Sequence, residues 1–412
     1  MSNSLSLSRL QEAVARDAAI RCRTKLSPAG GPSDKVFPAT YEGGEYASEG
    51  RRVDGRDVPC VVLDSVQSQA NRMEERLREL YERGSIELPV ISVDFASAGL
   101  ADVPKVTSLD APHRVFDAIL RDSCLDGTQF MDSAVGKKIE GFASANATAL
   151  FEHCPTALLF GAWNSTGKRG GSGAKVARSI VSEVVAFGVA AGARSGSRLD
   201  PLAISAEVTI YASENALGWT PDERQAVQEG KKPKLFAAGK GDKPGRPSLV
   251  NHGNVTPSIE EGKGGVTFDF AEQTTVLTFG GLRKLRFPLA GKTSPAVDDA
   301  ARTVLAALGL VAATSLRRGG CDLRSRCTLV PSDVSGWELL DGAGSVPSAV
   351  QLDADAALDL FSQAVVAAKA AGLPWASKEV VLSPSSELVA LVRESRKREA
   401  AKGRFATEEV NG

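Results

Sequence analysis

The sequence predicts an α+β fold, and three observations carry that expectation. Apolar runs of strand length alternate with stretches whose apolar residues return every three or four positions. The stretch from Val61 to Leu80 shows both periods at once. Apolar Val61-Val62-Leu63 ends at Asp64, and Val66, Ala70, Met73, Leu77 and Leu80 then follow a four-three-four-three spacing that marks one helical stripe. Long inserts poor in core residues separate these units, which implies a sheet packed against helices and elaborated between its strands.

Taken in order, Ser8-Arg9-Leu10-Gln11 reads as a capping box opening a short helix, with Leu10, Val14 and Ala18 on one side. The glycine-rich residues 27–55 read as an irregular lead-in to a strand at 58–64 and a helix at 65–81. Residues 89–95 are a second strand candidate. Mixed helical signals over 96–155, including 111–121, read as an insertion. The strongly apolar 156–163 reads as a strand, followed by the polar loop 164–173 and a helix bearing Val176, Ile180, Val184 and Phe187. Clean alternation over 202–211 predicts another strand. From 222 to 265 the periodicity collapses into Gly, Pro and Lys, as in an extended excursion. Strands are expected at 266–270 and 275–279. Ser294-Pro295 opens a helix through Val297, Ala301, Val304, Leu308 and Val311 that ends near Gly319-Gly320. A last strand is expected at 321–330, then helices at 353–371 and 384–401. The partition is an N-terminal lead-in (1–55), palm (56–95), finger-like insertion (96–155), palm (156–211), thumb-like insertion (212–265), palm completion (266–335) and a C-terminal helical region (336–412).

Composition narrows the classes. With 412 residues, 42% hydrophobic and 24% charged, the chain is an ordinary globular protein. A net charge of −1 argues against a strong solitary nucleic-acid binder but leaves room for local basic patches. The six cysteines lack paired C-x-x-C spacing and read as reduced thiols, so a cytoplasmic location is expected. No run approaches the roughly eighteen apolar residues a membrane span needs, and no apolar signal core opens the chain.

Three regions suggest anion binding. Ser65, Gln67, Ser68, Gln69, Asn71 and Arg72 crowd the first turn and a half of the predicted helix, where free N–H groups and the helix dipole favour phosphate. A simple cap would account for Asp64 or Ser65 alone. The glycine loop brings Asn164, Lys168, Arg169, Lys175 and Arg178 near a helix start. It is not a Walker loop: five residues, not four, separate Gly161 from Gly167, and Arg169 stands where a magnesium-binding hydroxyl belongs. Lys231, Lys232, Lys234, Lys240, Lys243 and Arg246 face one acid, Asp242, beside a polar tip holding His252 and Asn254. In the last predicted strand Arg324 and Arg326 alternate with Leu323, Ser325 and Cys327, which puts both on one open face near Arg317 and Arg318. His113, His153 and His252 are too dispersed for a metal site, no catalytic set assembles, and no cofactor is expected.

The motifs Tyr41-Glu42-Gly43-Gly44, Val61 through Glu74, Leu109-Asp110-Ala111-Pro112-His113-Arg114, Ala118 through Ser123, Ala149 through Gly161, Asp200-Pro201-Leu202 and Ala271-Glu272-Gln273-Thr274-Thr275 form an ordered series. In these the chain resembles the backbone RAMP subunit of the type I-U (I-G) CRISPR Cascade complex. The resemblance implies an RNA-recognition-motif-like (ferredoxin-like) palm with finger and thumb elaborations. It implies a non-catalytic subunit, many copies of which line the CRISPR guide RNA and present its spacer to target DNA. The implied partners are guide RNA, further copies, the guide-end-binding and large subunits, and indirectly a helicase-nuclease effector. The alternative is a RAMP-type endoribonuclease that processes the guide RNA, using His113, His153 or His252, or an aspartate placed by a loop, as its base.

Overall fold

The computed structural model describes residues 4–164, 175–237, 243–333 and 336–408. They divide into two units, Met1–Ala190 with Val266–Leu388, and Ala191–Gly265 with Val389–Gly412. The first unit runs through α1 (Leu7–Arg16), β1 (Ala19–Pro28), β2 (Ser48–Val53), β3 (Arg56–Asp64), α2 (Val66–Glu82), β4 (Ile91–Val93), α3 (Pro155–Phe160), β5 (Ile180–Phe187), β6 (Phe270–Thr278), α4 (Pro295–Arg318), β7 (Cys321–Arg324), β8 (Cys327–Pro331), β9 (Trp337–Leu340), α5 (Ala354–Ala370) and β10 (Val380–Pro384), with shorter elements between.

The main sheet has the order β2-β3-β5-β6-β1-β8-β7, with β9 also paired to β1. Because β6 is antiparallel to both β1 and β5, those two strands run the same way, and the chain passes between them through α2. Following β1, α2, β5, β6, α4 and the strands after it gives a β-α-β-β-α-β path. Its spatial order is fourth, first, third, second, which is the ferredoxin-like arrangement expected of the palm. The hairpin β2–β3, inserted before α2, extends the sheet beyond β5.

Burial explains these elements. On β1 Ile20, Cys22, Thr24 and Leu26 are buried, while Arg21, Arg23 and Lys25 take the opposite face. Helix α2 buries Ala70, Met73 and Leu77, the stripe read from its spacing. Helix α4 is buried almost all round from Ala301 to Thr314 and packs against α1, α2 and α5. At Gly309 a Cβ would stand only 3.2 Å from Leu159, so glycine lets α3 approach α4 closely.

Several sequence expectations are corrected. Strand β1 lies where the N-terminal lead-in was expected; α1 ends before Ala18, and its cap is Ser6 rather than Ser8. Residues 156–163 form helix α3 and only a two-residue strand, Ala162–Trp163, because Pro155 starts a helix and Gly161 (φ 85°) stops it. The predicted helix through Val184 is strand β5: Val185, on the opposite face from Val184, is buried too, which blurred the period. Residues 202–210 form no strand; Leu202 is 72% exposed and has no partner strand to bury it. The two strands expected at 266–279 are mainly one, β6. Residues 321–330 fold into a hairpin at Ser325-Arg326, with Arg326 left-handed (φ 60°).

Nor is that hairpin the last strand. A five-stranded sheet takes in Val106–Thr107, β4, β10, Ser123–Leu125 and Thr128–Gln129, with β10 parallel to β4 at its centre. The C-terminal region, expected to be helical, thereby supplies a strand to the finger-like insertion. The expected helices are present at α5 and at Ser386–Glu408.

The second unit begins at 191 rather than 212. A ribbon pairs Arg194–Arg198 with Val255–Glu260, and short hairpins surround a small core of Ile210, Phe236 and Val250. Among the described residues no helix is long and apolar enough to cross a membrane.

Candidate nucleic-acid interface

Asp64 closes β3 at a β-bulge in the β3–β5 pairing, and its side chain is wholly buried. Ser65 is extended and caps α2, its Oγ accepting from the N–H of Ser68 at 3.3 Å. The next turn separates the predicted cluster into two sets. Gln69 turns inward and is only 1% exposed. Its Nε2 donates to Asp64 Oδ2 at 2.6 Å, and its Oε1 accepts from Ser182 Oγ at 2.9 Å and Gln273 Nε2 at 2.8 Å. Both ends of the amide are used, so Gln69 is a core hydrogen-bonding hub and not the surface RNA ligand expected.

Arg72 is half-buried. It donates from Nε to Asp64 Oδ2 at 3.0 Å and from its two Nη atoms to the carbonyls of Asp322 and Leu323. Arg324 reaches the same place from the hairpin, donating to the carbonyl of Leu63 at 2.8 Å and to Asp64 Oδ1 at 3.4 Å. One buried carboxylate thus fixes two guanidinium groups and the start of α2. Gln67 and Asn71 are exposed and Ser68 half-buried on the outer side. These three remain open to a ligand.

Arg324 and Arg326 do not share a face. The turn sends Arg326 outward, its guanidinium 4.0 Å over the ring of Phe37, while Arg324 is held by Asp64. The physical reason is the left-handed residue at the turn, which breaks the alternation a single strand would have kept.

In the glycine loop, Asn164 is buried, while Lys168 and Arg169 lie outside the described residues. Lys175 is exposed with its ammonium 5.9 Å over Trp163, itself 51% exposed. Arg178 donates to the carbonyl of Phe160 at 3.1 Å; burial, then the neighbouring Arg114, holds it below its ordinary pKa. Arg178 precedes β5, so the helix start expected there does not exist.

Sequence reasoning missed Arg114 as a structural anchor, although it closes one of the motifs. Its guanidinium forks onto Glu74 of α2 at 2.7 and 2.6 Å, and its third arm donates to the carbonyl of Gly161 at 2.7 Å. Both side chains are buried. Burial pushes the Glu74 carboxyl up to about 7, against the pull of Arg114. This pair ties α2 to the start of the glycine loop. A left-handed Arg114 (φ 54°), unreadable from sequence, makes the reach possible.

Within the second unit, Asp200 accepts from the N–H groups of Gly253 and Leu202, and Asn254 Oδ1 accepts from the N–H of Asp200 at 2.7 Å. Those backbone bonds lower the pKa of Asp200. Asn254 is therefore committed to holding the Asp200-Pro201-Leu202 motif. His252 is 39% exposed on its side chain, edge-on to Trp219 with ring centroids 6.0 Å apart. Lys240 lies outside the described residues.

A cleft of about 560 Å³ lies near these groups, bounded by α2, the C-terminal end of α4, β7 and the start of α5. Arg72, Arg76, Arg317 and Arg318 line it. His113, His153 and His252 take no part in it. Among the described residues no three His, Cys, Asp or Glu side chains group as a metal site.

Residues 20–191 match the family described as CRISPR-associated protein GSU0053. Over that segment the chain is similar to CRISPR-associated proteins. This agrees with the resemblance to a Cascade RAMP-type backbone subunit, and the segment includes β1, α2, Arg114 and the glycine loop. The chain is also similar to the crystal structure of Thermofilum pendens Csc2, at 13% identity over 100% of this chain and 88% of that one, with a TM-score of 0.26. The fold assignment rests on the strand order above, not on that likeness. No curated protein matches the chain.

Proposed function

We propose that the protein is a non-catalytic, RNA-binding backbone subunit of a CRISPR surveillance complex. Copies of it assemble along the guide RNA and leave the spacer free to pair with target DNA. The observation that carries this reading is the match of residues 20–191 to a CRISPR-associated family, within which Gln67, Ser68 and Asn71 stand open at the start of α2. In RNA-guided recognition the protein grips backbone and shape while base pairing reads sequence. A chain of net charge −1 can still hold RNA tightly when copies act together, because the second contact is intramolecular.

The test is purification with and without guide RNA, followed by measurement of assembly size and RNA integrity. The expected result is a length-defined assembly on intact RNA whose affinity falls with salt by about 0.7 log units per log unit for each neutralised phosphate. Absence of RNA binding would overturn the proposal. Cleavage by the parent that is lost when His113, His153 and His252 are replaced together would establish the endoribonuclease instead.

A further inference from the structure

The stem of the glycine loop puts an aromatic ring and a cation side by side on the surface. Ala162–Trp163 pairs antiparallel with Lys175–Val176, so that Ala162 stands opposite Val176 and Trp163 opposite Lys175. Alternation sorts the four side chains. Ala162 and Val176 are buried, while Trp163 is 51% exposed and Lys175 is exposed with its ammonium 5.9 Å from the indole centroid. The chain's other tryptophans, Trp219, Trp337 and Trp375, are half-buried or buried. An indole left half in water forfeits much of the apolar burial that normally fixes its place.

The stem itself is well anchored. Gly161 has a positive φ (85°), and a Cβ there would stand 3.1 Å from the carbonyl oxygen of Val176, so glycine lets the two short strands close. The Gly161 carbonyl accepts from Arg114, whose other arms fork onto Glu74. Glu74 follows Asn71 by about one helical turn, so this buried link ties the indole's strand to the helix whose start stands open. Charge around the pair has one sign: from Trp163 to Arg178 the sequence carries four basic residues and no acidic one. Among the described residues Lys175 forms no ion pair, and its flexible stem lets the ammonium turn to a nearby phosphate. Lysine is depleted at protein–protein interfaces, whereas a ring beside a cation offers an unpaired base a face and the adjoining phosphate a charge. A base inside a duplex has its faces already stacked and cannot use the ring.

We propose that Trp163 is a stacking platform for one unpaired base of the bound RNA, with Lys175 turning from the ring to the neighbouring phosphate. The proposal rests on the RNA-binding reading and adds an aromatic contact, Trp163, to a surface so far made of polar groups.

The experiment titrates the full chain with oligouridine and follows tryptophan emission, beside the variants Trp163→Phe, Trp163→Ala and Lys175→Gln. In the parent, RNA should quench part of the emission, and that part should be missing from Trp163→Phe. By anisotropy of labelled RNA, Trp163→Ala should bind about five- to hundredfold more weakly, the scale of one base–aromatic stack. Trp163→Phe, which keeps a ring, should lose less than Trp163→Ala. Lys175→Gln should lower the salt slope of binding by about 0.7, the share of one phosphate. Unchanged affinity in Trp163→Ala, equal quenching in the parent and Trp163→Phe, or quenching by an RNA duplex as strong as by the single strand would each overturn the proposal. Unchanged affinity for a short strand with loss of large assemblies would overturn it in favour of a contact between copies. If Trp163→Ala loses its native circular dichroism, the difference in quenching between the parent and Trp163→Phe decides alone. A parent that binds oligouridine with none of these changes refutes the stack and leaves the RNA-binding reading standing. A parent that binds no RNA refutes both.

Discussion

Replacing Gln69 with Ala should unfold the palm more readily while leaving its surface untouched. The side chain joins three partners, and they do not suffer equally. Asp64 Oδ2 loses one donor but keeps Arg72 at 3.0 Å. Ser182 can turn fully to Thr275, whose hydroxyl is already 2.9 Å away. Gln273 is different: its buried Nε2 donates to Gln69 and is left without an acceptor. Stranding one buried donor costs about 1–3 kcal/mol, and truncating a packed side chain adds a cavity term, so a loss of about 2–4 kcal/mol is expected. The exposed neighbour Asn71, changed to Ala, should shift stability by about 0.5 kcal/mol or less. Urea unfolding followed by circular dichroism measures both on the same chain. A Gln69→Ala variant as stable as Asn71→Ala, yet unable to bind RNA, would refute the hub and restore Gln69 as a surface ligand.

Replacing Gln67 and Asn71 together by Ala should leave unfolding unchanged but weaken RNA binding, measured by filter retention; unchanged affinity would show that the open start of α2 is only a helix end. Arg114→Met should cost about 1–3 kcal/mol, because it takes two hydrogen-bond donors from the buried Glu74 carboxyl, which then stays protonated near neutral pH. The same carboxyl has a pH signature. Its folded pKa, about 7, stands above the ordinary carboxyl value of 4.5, so its stabilising protonation is complete below about 4.5 and lost as pH rises through 7. The stability of Glu74→Gln relative to the parent should therefore rise between pH 5 and pH 8.5 in thermal melts, and a flat difference would contradict a raised pKa. Limited proteolysis should cut first within 222–265, where the core is smallest, and guide RNA should slow that cleavage; equal rates with and without RNA would count against a role for this region in holding RNA.

The sequence by itself determined those elements in which one period acts alone. Helix α2 was legible because Ala70, Met73 and Leu77 bury one stripe and polar residues cover the rest. Helix α4 was legible because Pro295 starts it and glycines follow its end. Strand β1 carried a readable alternation of Ile20, Cys22, Thr24 and Leu26, but it was masked by the helical signal that runs into it from Leu10 and Val14. Where a segment is buried on both faces, as at α3 and β5, periodicity vanishes and only the neighbours choose between helix and strand. The candidate site divides in the same way. Sequence placed six polar groups at the start of a helix, and that placement is local. Which of them face solvent was decided by Asp64, Ser182 and Gln273, which come from three separate strands and meet at Gln69 only once the sheet has closed, with Arg72 and Arg324 gathered on Asp64. The central place of β10 in a sheet with residues nearly three hundred positions earlier was likewise fixed by the tertiary structure alone. A strand's own residues encode its two faces but not the partner whose N–H and C=O groups complete it.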